Sequence, residues 1–283
     1  MEDILLIYNF FKRNGNRIVL LTLIWIMFTL MFVQDVYGRH YDEVRIPNNG
    51  IVSYYDFEGS HTGDLTIPDK AGKNNMKVVG FPEIIDGTAG EGWYSNLVEV
   101  VGANAFSFLE IPYTPEFNSK SFSIGFYGGF CGLDSWDLHK NYYWSWGDNL
   151  AMCITTEEVD GDELYTTNLR FGNKTYSFFT HAEQFAYYHY VVVYDGTNRI
   201  LMGYWDGQQQ IRDTDVSRPS VSGSPIRFAT DNNLNHNFSG RFDEIAIYNR
   251  PLTPIEVTRY YGGVGLEIEP KGKLACTWGE VKR

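Results

Sequence analysis

Alternating apolar and polar positions, in short runs broken by Gly, Asn and Asp, dominate the chain from residue 50 onward. That is the signature of many short strands joined by tight turns. The clearest case lies near the C-terminus, where Gly240-Arg241-Phe242-Asp243-Glu244-Ile245-Ala246-Ile247-Tyr248 reads as a strand. Strict period-2 alternation puts Asp243, Ile245 and Ile247 on one face and Phe242, Glu244, Ala246 and Tyr248 on the other. A carboxylate on a core-facing side must be paired or bound to a cation. The pattern then switches. Thr253-Pro254 reads as the N-cap and first turn of a short helix, with Glu256 completing a capping box, and no other amphipathic helical stretch stands out after residue 50.

The N-terminal part follows a different rule. Ile18 to Val33 carries no charge, and extended to Tyr37 it gives about 20 residues, roughly 30 Å of helix and enough to span a bilayer. Lys12, Arg13 and Arg17 precede it, so the positive-inside rule places residues 1–17 in the cytoplasm and the large domain on the extracellular or lumenal side. Two readings of residues 18–37 stand: an uncleaved transmembrane anchor, or a signal peptide cleaved near Val36-Tyr37-Gly38 and followed by secretion. An organellar inner membrane is a further location for the anchored form. Residues 38–49 form a polar linker, 50–262 the main domain and 263–283 a tail.

Composition narrows the class. Among 283 residues, 16% are aromatic and 28 are glycine, which suits an all-β sandwich more than a helical fold. The formal charge of -12 argues against nucleic acid as a partner, because nucleic-acid binding needs a basic footprint. Cys131 and Cys153 fall near neighbouring strands of a predicted hairpin, where they either form a disulfide or serve as small buried hydrophobes. Asn173-Lys174-Thr175 and Asn237-Phe238-Ser239 are glycosylation acceptor triplets on predicted turns, at Asn173 and Asn237.

Five further segments, in order, carry a family resemblance. They are Gly50-Ile51-Val52-Ser53-Tyr54-Tyr55-Asp56-Phe57-Glu58-Gly59, Asp69-Lys70-Ala71-Gly72-Lys73-Asn74-Asn75, Ser121-Phe122-Ser123-Ile124-Gly125-Phe126-Tyr127, Tyr188-His189-Tyr190-Val191-Val192-Val193-Tyr194-Asp195-Gly196-Thr197 and Tyr204-Trp205-Asp206-Gly207. With the closing strand they resemble the laminin-G-like, concanavalin A-type jelly-roll domains. The resemblance implies two antiparallel sheets packed face to face, with the first and last strands as neighbours. It also implies a structural calcium ion near the closing strand, for which Asp243 and Glu58 match the family's acidic positions. An ion pair of Asp243 with Arg241 or Arg250 is the alternative.

The fold hosts both hydrolases and binding modules. Retaining glycoside hydrolysis needs two carboxyl groups roughly 5 Å apart on one surface. Asp243 and Glu244 are adjacent on a strand and point to opposite sides. The acidic run Glu157 to Glu163 contains an Asp-Gly hairpin tip. The sequence therefore predicts a non-catalytic binding module for glycan or protein ligands, or else an accessory subunit of a membrane complex that uses the jelly roll as a scaffold. Asp134, Trp136, Trp144 and Trp205 are the candidate ligand residues: sugar rings stack on exposed aromatics while acidic groups take hydroxyls. Against that stands the reading that these aromatics fill the sandwich core. His189 and Tyr190 are predicted to be structural, one on each face of their strand.

Overall fold

A computed structural model describes residues 46–262 apart from 73, 81, 87–90, 96–97, 101–102, 106, 131–140, 160–161, 181, 183–185, 222, 235–237 and 239. The strands in chain order are β1 (Ile51–Tyr55), β2 (Thr66–Ile67), β3 (Met76–Val79), β4 (Glu83–Asp86), β5 (Glu91–Ser95), β6 (Val98–Val100), β7 (Ala103–Ala105), β8 (Phe108–Ile111) and β9 (Phe122–Phe130). They continue as β10 (Asn141–Trp146), β11 (Leu150–Val159), β12 (Asp162–Phe171), β13 (Lys174–Thr180), β14 (Tyr188–Asp195), β15 (Ile200–Trp205), β16 (Gln208–Thr214), β17 (Ile226–Phe228) and β18 (Gly240–Tyr248). The helix α1 (Pro254–Tyr260) follows.

The strands form two eight-stranded sheets and a small β6–β7 ladder. The first sheet runs β16-β15-β14-β9-β18-β5-β4, with β1 also paired to β18; the second runs β13-β12-β11-β10-β17-β8-β3-β2. The paired strands are antiparallel, and first and last strands are neighbours through Tyr54↔Ala246 and Tyr55↔Ile245. The result is the expected all-β sandwich.

Between the sheets lies an aromatic core. Phe126 of β9 meets Tyr143 of β10 at 5.8 Å and Phe228 of β17 at 5.7 Å across the interface. Edge-to-face and offset ring pairs of this kind add to the burial energy.

A second buried layer covers the outer face of the first sheet. Thr253 caps α1 through the predicted capping box with Glu256, and Arg250 clamps the same carboxylate at 2.9 and 2.6 Å. This holds the Glu256 carboxyl down at about 2, chiefly through the arginine bonds. Val257 and Tyr260 of α1 are fully buried. Gly125 makes this docking possible, since a Cβ there would come within 2.2 Å of the Tyr260 ring.

Two turns match their sequence signals. Asp206 (φ 47) and Gly207 (φ 73) both take left-handed conformations, the geometry of a type I′ hairpin turn. The Asp69 carboxylate accepts from the backbone N–H groups of Tyr54, Ala71 and Asn74, stapling its loop to β1.

No helix among the described residues is long and apolar enough to cross a membrane. The predicted anchor at 18–37, the linker before residue 46 and the tail at 263–283 lie outside the described residues.

Candidate functional site

The closing strand departs from simple alternation. Asp243 pairs with Tyr127 and Ala246 with Gly125, so Glu244 and Ile245 together oppose Phe126 alone. This is a β-bulge, with Glu244 at φ 52, and a bulge reverses the facing of every residue beyond it. Phe242, Ile245 and Ile247 therefore all enter the inter-sheet core. Asp243 stands on the opposite, outer face. The predicted grouping of Asp243 with Ile245 and Ile247 is corrected accordingly.

Asp243 is nevertheless fully buried, beneath the layer that α1 completes. Its Oδ1 accepts the Glu244 N–H at 2.9 Å. Glu58 is exposed. Among the described residues, no group of three or more His, Cys, Asp or Glu side chains is placed to hold a metal ion.

Glu244 carries the more distinctive chemistry. Its carboxylate accepts a hydrogen bond from the Tyr54 hydroxyl, and its carbonyl accepts one from Tyr260. Burial pushes the Glu244 carboxyl up to about 7, opposed by the Tyr54 bond and reinforced by the negative charges of Asp56 and Glu58. Nearby, His189 is fully buried between the rings of Tyr127 at 4.7 Å and Tyr260 at 4.5 Å. Neither of its ring nitrogens has a hydrogen-bond partner, and burial lowers its pKa to about 3. Tyr190 faces the core, so the structural reading of this pair is correct.

The predicted aromatic platform does not form at Trp144. Tyr142 pairs with Cys153 and Trp144 with Met152, leaving Tyr143 as an extra residue in β10. Without that irregularity Trp144 would share the outward face of Tyr142. With it, Trp144 turns inward and is fully buried in the core. A ring with no exposed face cannot stack on a sugar, so Trp144 is withdrawn as a ligand residue. Trp205 is half-buried and packs on Tyr188 at 5.4 Å. Asp134, Trp136 and Cys131 lie outside the described residues, as does Asn237. Cys153 is buried in a small cluster with Tyr142 and Ala151. Asn173 is exposed at the turn between β12 and β13, accessible as an acceptor triplet requires.

The outer face of the second sheet carries an organised polar surface. Leu169 and Phe171 point into the core, so Asn168 and Arg170, which alternate with them, point out. Asn168 donates to Thr155 Oγ1 at 2.8 Å and accepts from Ser177 Oγ at 2.9 Å, a ladder crossing β11, β12 and β13. One row away, Arg170 lies between Ala151 and Thr175. Burial raises the Tyr142 hydroxyl; Cys153 adds to the rise, Arg170 opposes it and Asp231 adds a little more. Farther along the sheet, Glu110 takes both Arg227 at 3.0 Å and Lys77 at 3.2 Å. Sequence reasoning missed this face. The alternation around Arg170 was its one available signal.

Residues 133–258 match the family model described as the concanavalin A-like lectin/glucanases superfamily. No curated protein matches the sequence. Among solved structures, domain 4 of AbnA, an extracellular arabinanase from Geobacillus stearothermophilus in complex with arabinotriose, is 16% identical with a TM-score of 0.54. The match covers 75% of this chain and 98% of that domain. The binding domain of Paraclostridial Mosquitocidal Protein 1 is 20% identical with a TM-score of 0.55, covering 76% of this chain and 52% of that one. The botulinum neurotoxin DC binding domain, in complex with rat synaptotagmin II, is 11% identical with a TM-score of 0.52, covering 77% and 52%. The chain thus spans about half the length of these toxin binding domains. At such identities the likeness is one of fold.

Proposed function

We propose that this protein is a non-catalytic binding module that recognises a glycan on the outer face of its second sheet. In this reading residues 18–37 tether it to a membrane, with the jelly roll on the non-cytoplasmic side. The observation that carries it is the Thr155–Asn168–Ser177 ladder with Arg170 one row away. These groups both donate and accept, as recognition of sugar hydroxyls requires. The match to the concanavalin A-like superfamily and the fold shared with an arabinotriose-bound domain support the same reading. Recognition here works by hydrogen bonding, since Trp144 is consumed by the core. That loss also favours the second reading, an accessory subunit whose jelly roll is a scaffold for protein partners.

A glycan microarray probed with the full chain in mild detergent separates the two. Saccharide binding that competes with free ligand supports the module. An array without binding, together with stoichiometric co-purification of membrane proteins, supports the scaffold. Protease protection on intact cells tests the tether: the domain should be cleaved from outside, with Asn173 glycosylated.

A further inference from the structure

We infer that the outer face of the second sheet takes carboxylate-bearing saccharides, with the Arg170 guanidinium as the carboxylate clamp; this deepens the glycan reading and rests on it. Arg170 is half-buried, and its Nε is sealed from solvent without a hydrogen-bond partner. Buried donors in native proteins are nearly always satisfied, and an unmet one calls for an explanation. The other lysine and arginine side chains on the strands of this sheet are engaged. Arg227 is held by Glu110 and by the Asn232 carbonyl, Lys77 by Glu110 and Lys174 by Asp213 at 2.7 Å. Arg170 differs from all three in having small neighbours, Ala151 and Thr175, on the flanking strands. Its Nη groups, unlike the Nε, are not sealed from solvent, and they are the donors a ligand can reach.

A guanidinium meets a carboxylate through two parallel N–H···O bonds, a geometry an ammonium cannot reproduce. The rest of the surface sets the ligand's other requirement. Thr155, Asn168 and Ser177 cross three strands, a distance of roughly 10 Å at the usual strand spacing. They offer hydroxyl and amide groups, while the adjoining Tyr142–Ala151–Cys153 cluster is itself buried. A sugar ring bearing one carboxylate and several hydroxyls meets both conditions. An acidic peptide would bring apolar side chains to a ladder that presents hydroxyl and amide groups. The formal charge of -12 disfavours dense polyanions, whereas a single unpaired arginine suits an isolated carboxylate.

The test uses the full chain in mild detergent and three probes: the methyl glycosides of glucuronic acid, galacturonic acid and N-acetylneuraminic acid, each paired with its own carboxyl methyl ester. Binding is read by saturation-transfer NMR titration. At least one acid should bind about tenfold or more tightly than its ester. Arg170→Gln should bring that ratio close to one without lowering the melting temperature, and Arg170→Lys should restore only part of it. Equal binding of acid and ester for every pair overturns the clamp, as does a preference that survives Arg170→Gln. Binding of neutral oligosaccharides alone overturns the clamp but keeps the glycan module. Failure of every saccharide, acidic or neutral, overturns both. A glutamate-containing tripeptide bound as tightly as the best acid, and lost in Arg170→Gln, overturns the saccharide assignment in favour of a protein ligand.

Discussion

Replacing Glu244 by glutamine isolates the charge at the β18 bulge. The side chain is almost fully buried and its folded carboxyl titrates at about 7 rather than at the ordinary 4.5. A raised carboxyl means that the folded state holds a proton which the unfolded state releases between pH 4.5 and 7. Below pH 4.5 both states are protonated and the group costs nothing. As pH rises through that window the unfolded state is favoured, until the cost levels off above the folded pKa. The interval from 4.5 to about 7, at about 1.36 kcal/mol per pH unit, makes the full cost roughly 3 kcal/mol. Glutamine keeps an acceptor for the Tyr54 hydroxyl and cannot ionise. Urea unfolding of both proteins should give nearly equal stability at pH 4.5. By pH 8 the Glu244→Gln protein should be the more stable by up to about 3 kcal/mol. A stability difference that does not change between pH 4.5 and pH 8 would refute the assignment of a buried, proton-holding carboxyl.

Three other outcomes follow from the same outer layer. Gly125→Ala drives a Cβ into the Tyr260 ring, and overpacking of this kind costs about 1–3 kcal/mol; the melting temperature should fall, and Tyr260→Leu in the same protein should recover part of the loss. His189, neutral when folded with its pKa near 3 against an ordinary 6.5, should cost stability progressively as pH falls below 6.5. His189→Phe, which deletes two unpartnered nitrogens, should flatten that acid limb in a chemical-denaturation series, and an unchanged limb would point to other groups. Chelator should leave the melting temperature unchanged if the Asp243 carboxylate is held by protein donors such as the Glu244 N–H; a fall abolished in Asp243→Asn would restore a bound cation.

The fold was legible because its punctuation is local. Asp69 caps its own loop, Asp206-Gly207 forms its hairpin turn, and Thr253 with Glu256 starts the one helix that the pattern showed after residue 50. Each signal acts over a few residues, so each survives as a sequence motif. The facing of side chains was legible only as far as the nearest bulge. One extra residue at Tyr143 turned Trp144 inward, and one at Glu244 moved Asp243 to the other face. Neither extra residue is a glycine or otherwise marks the spot, because the bulges answer to packing against distant strands. Arg170 presents the opposite case. Its outward position follows from Leu169 and Phe171 on either side, but its lack of a partner depends on what Ala151 and Thr175 bring from neighbouring strands. No local pattern encodes that.

The most direct measurement is a glycan microarray comparison of the full wild-type chain with two bulky surface variants. Ser177→Trp places an indole at an exposed position on the polar ladder of the second sheet, whereas Gln210→Trp places one at an exposed position on β16 of the first. A ligand face on the second sheet predicts that Ser177→Trp abolishes array binding while Gln210→Trp leaves it intact, with both variants melting as the wild type does. Binding that survives Ser177→Trp, or that is lost in Gln210→Trp instead, would contradict it.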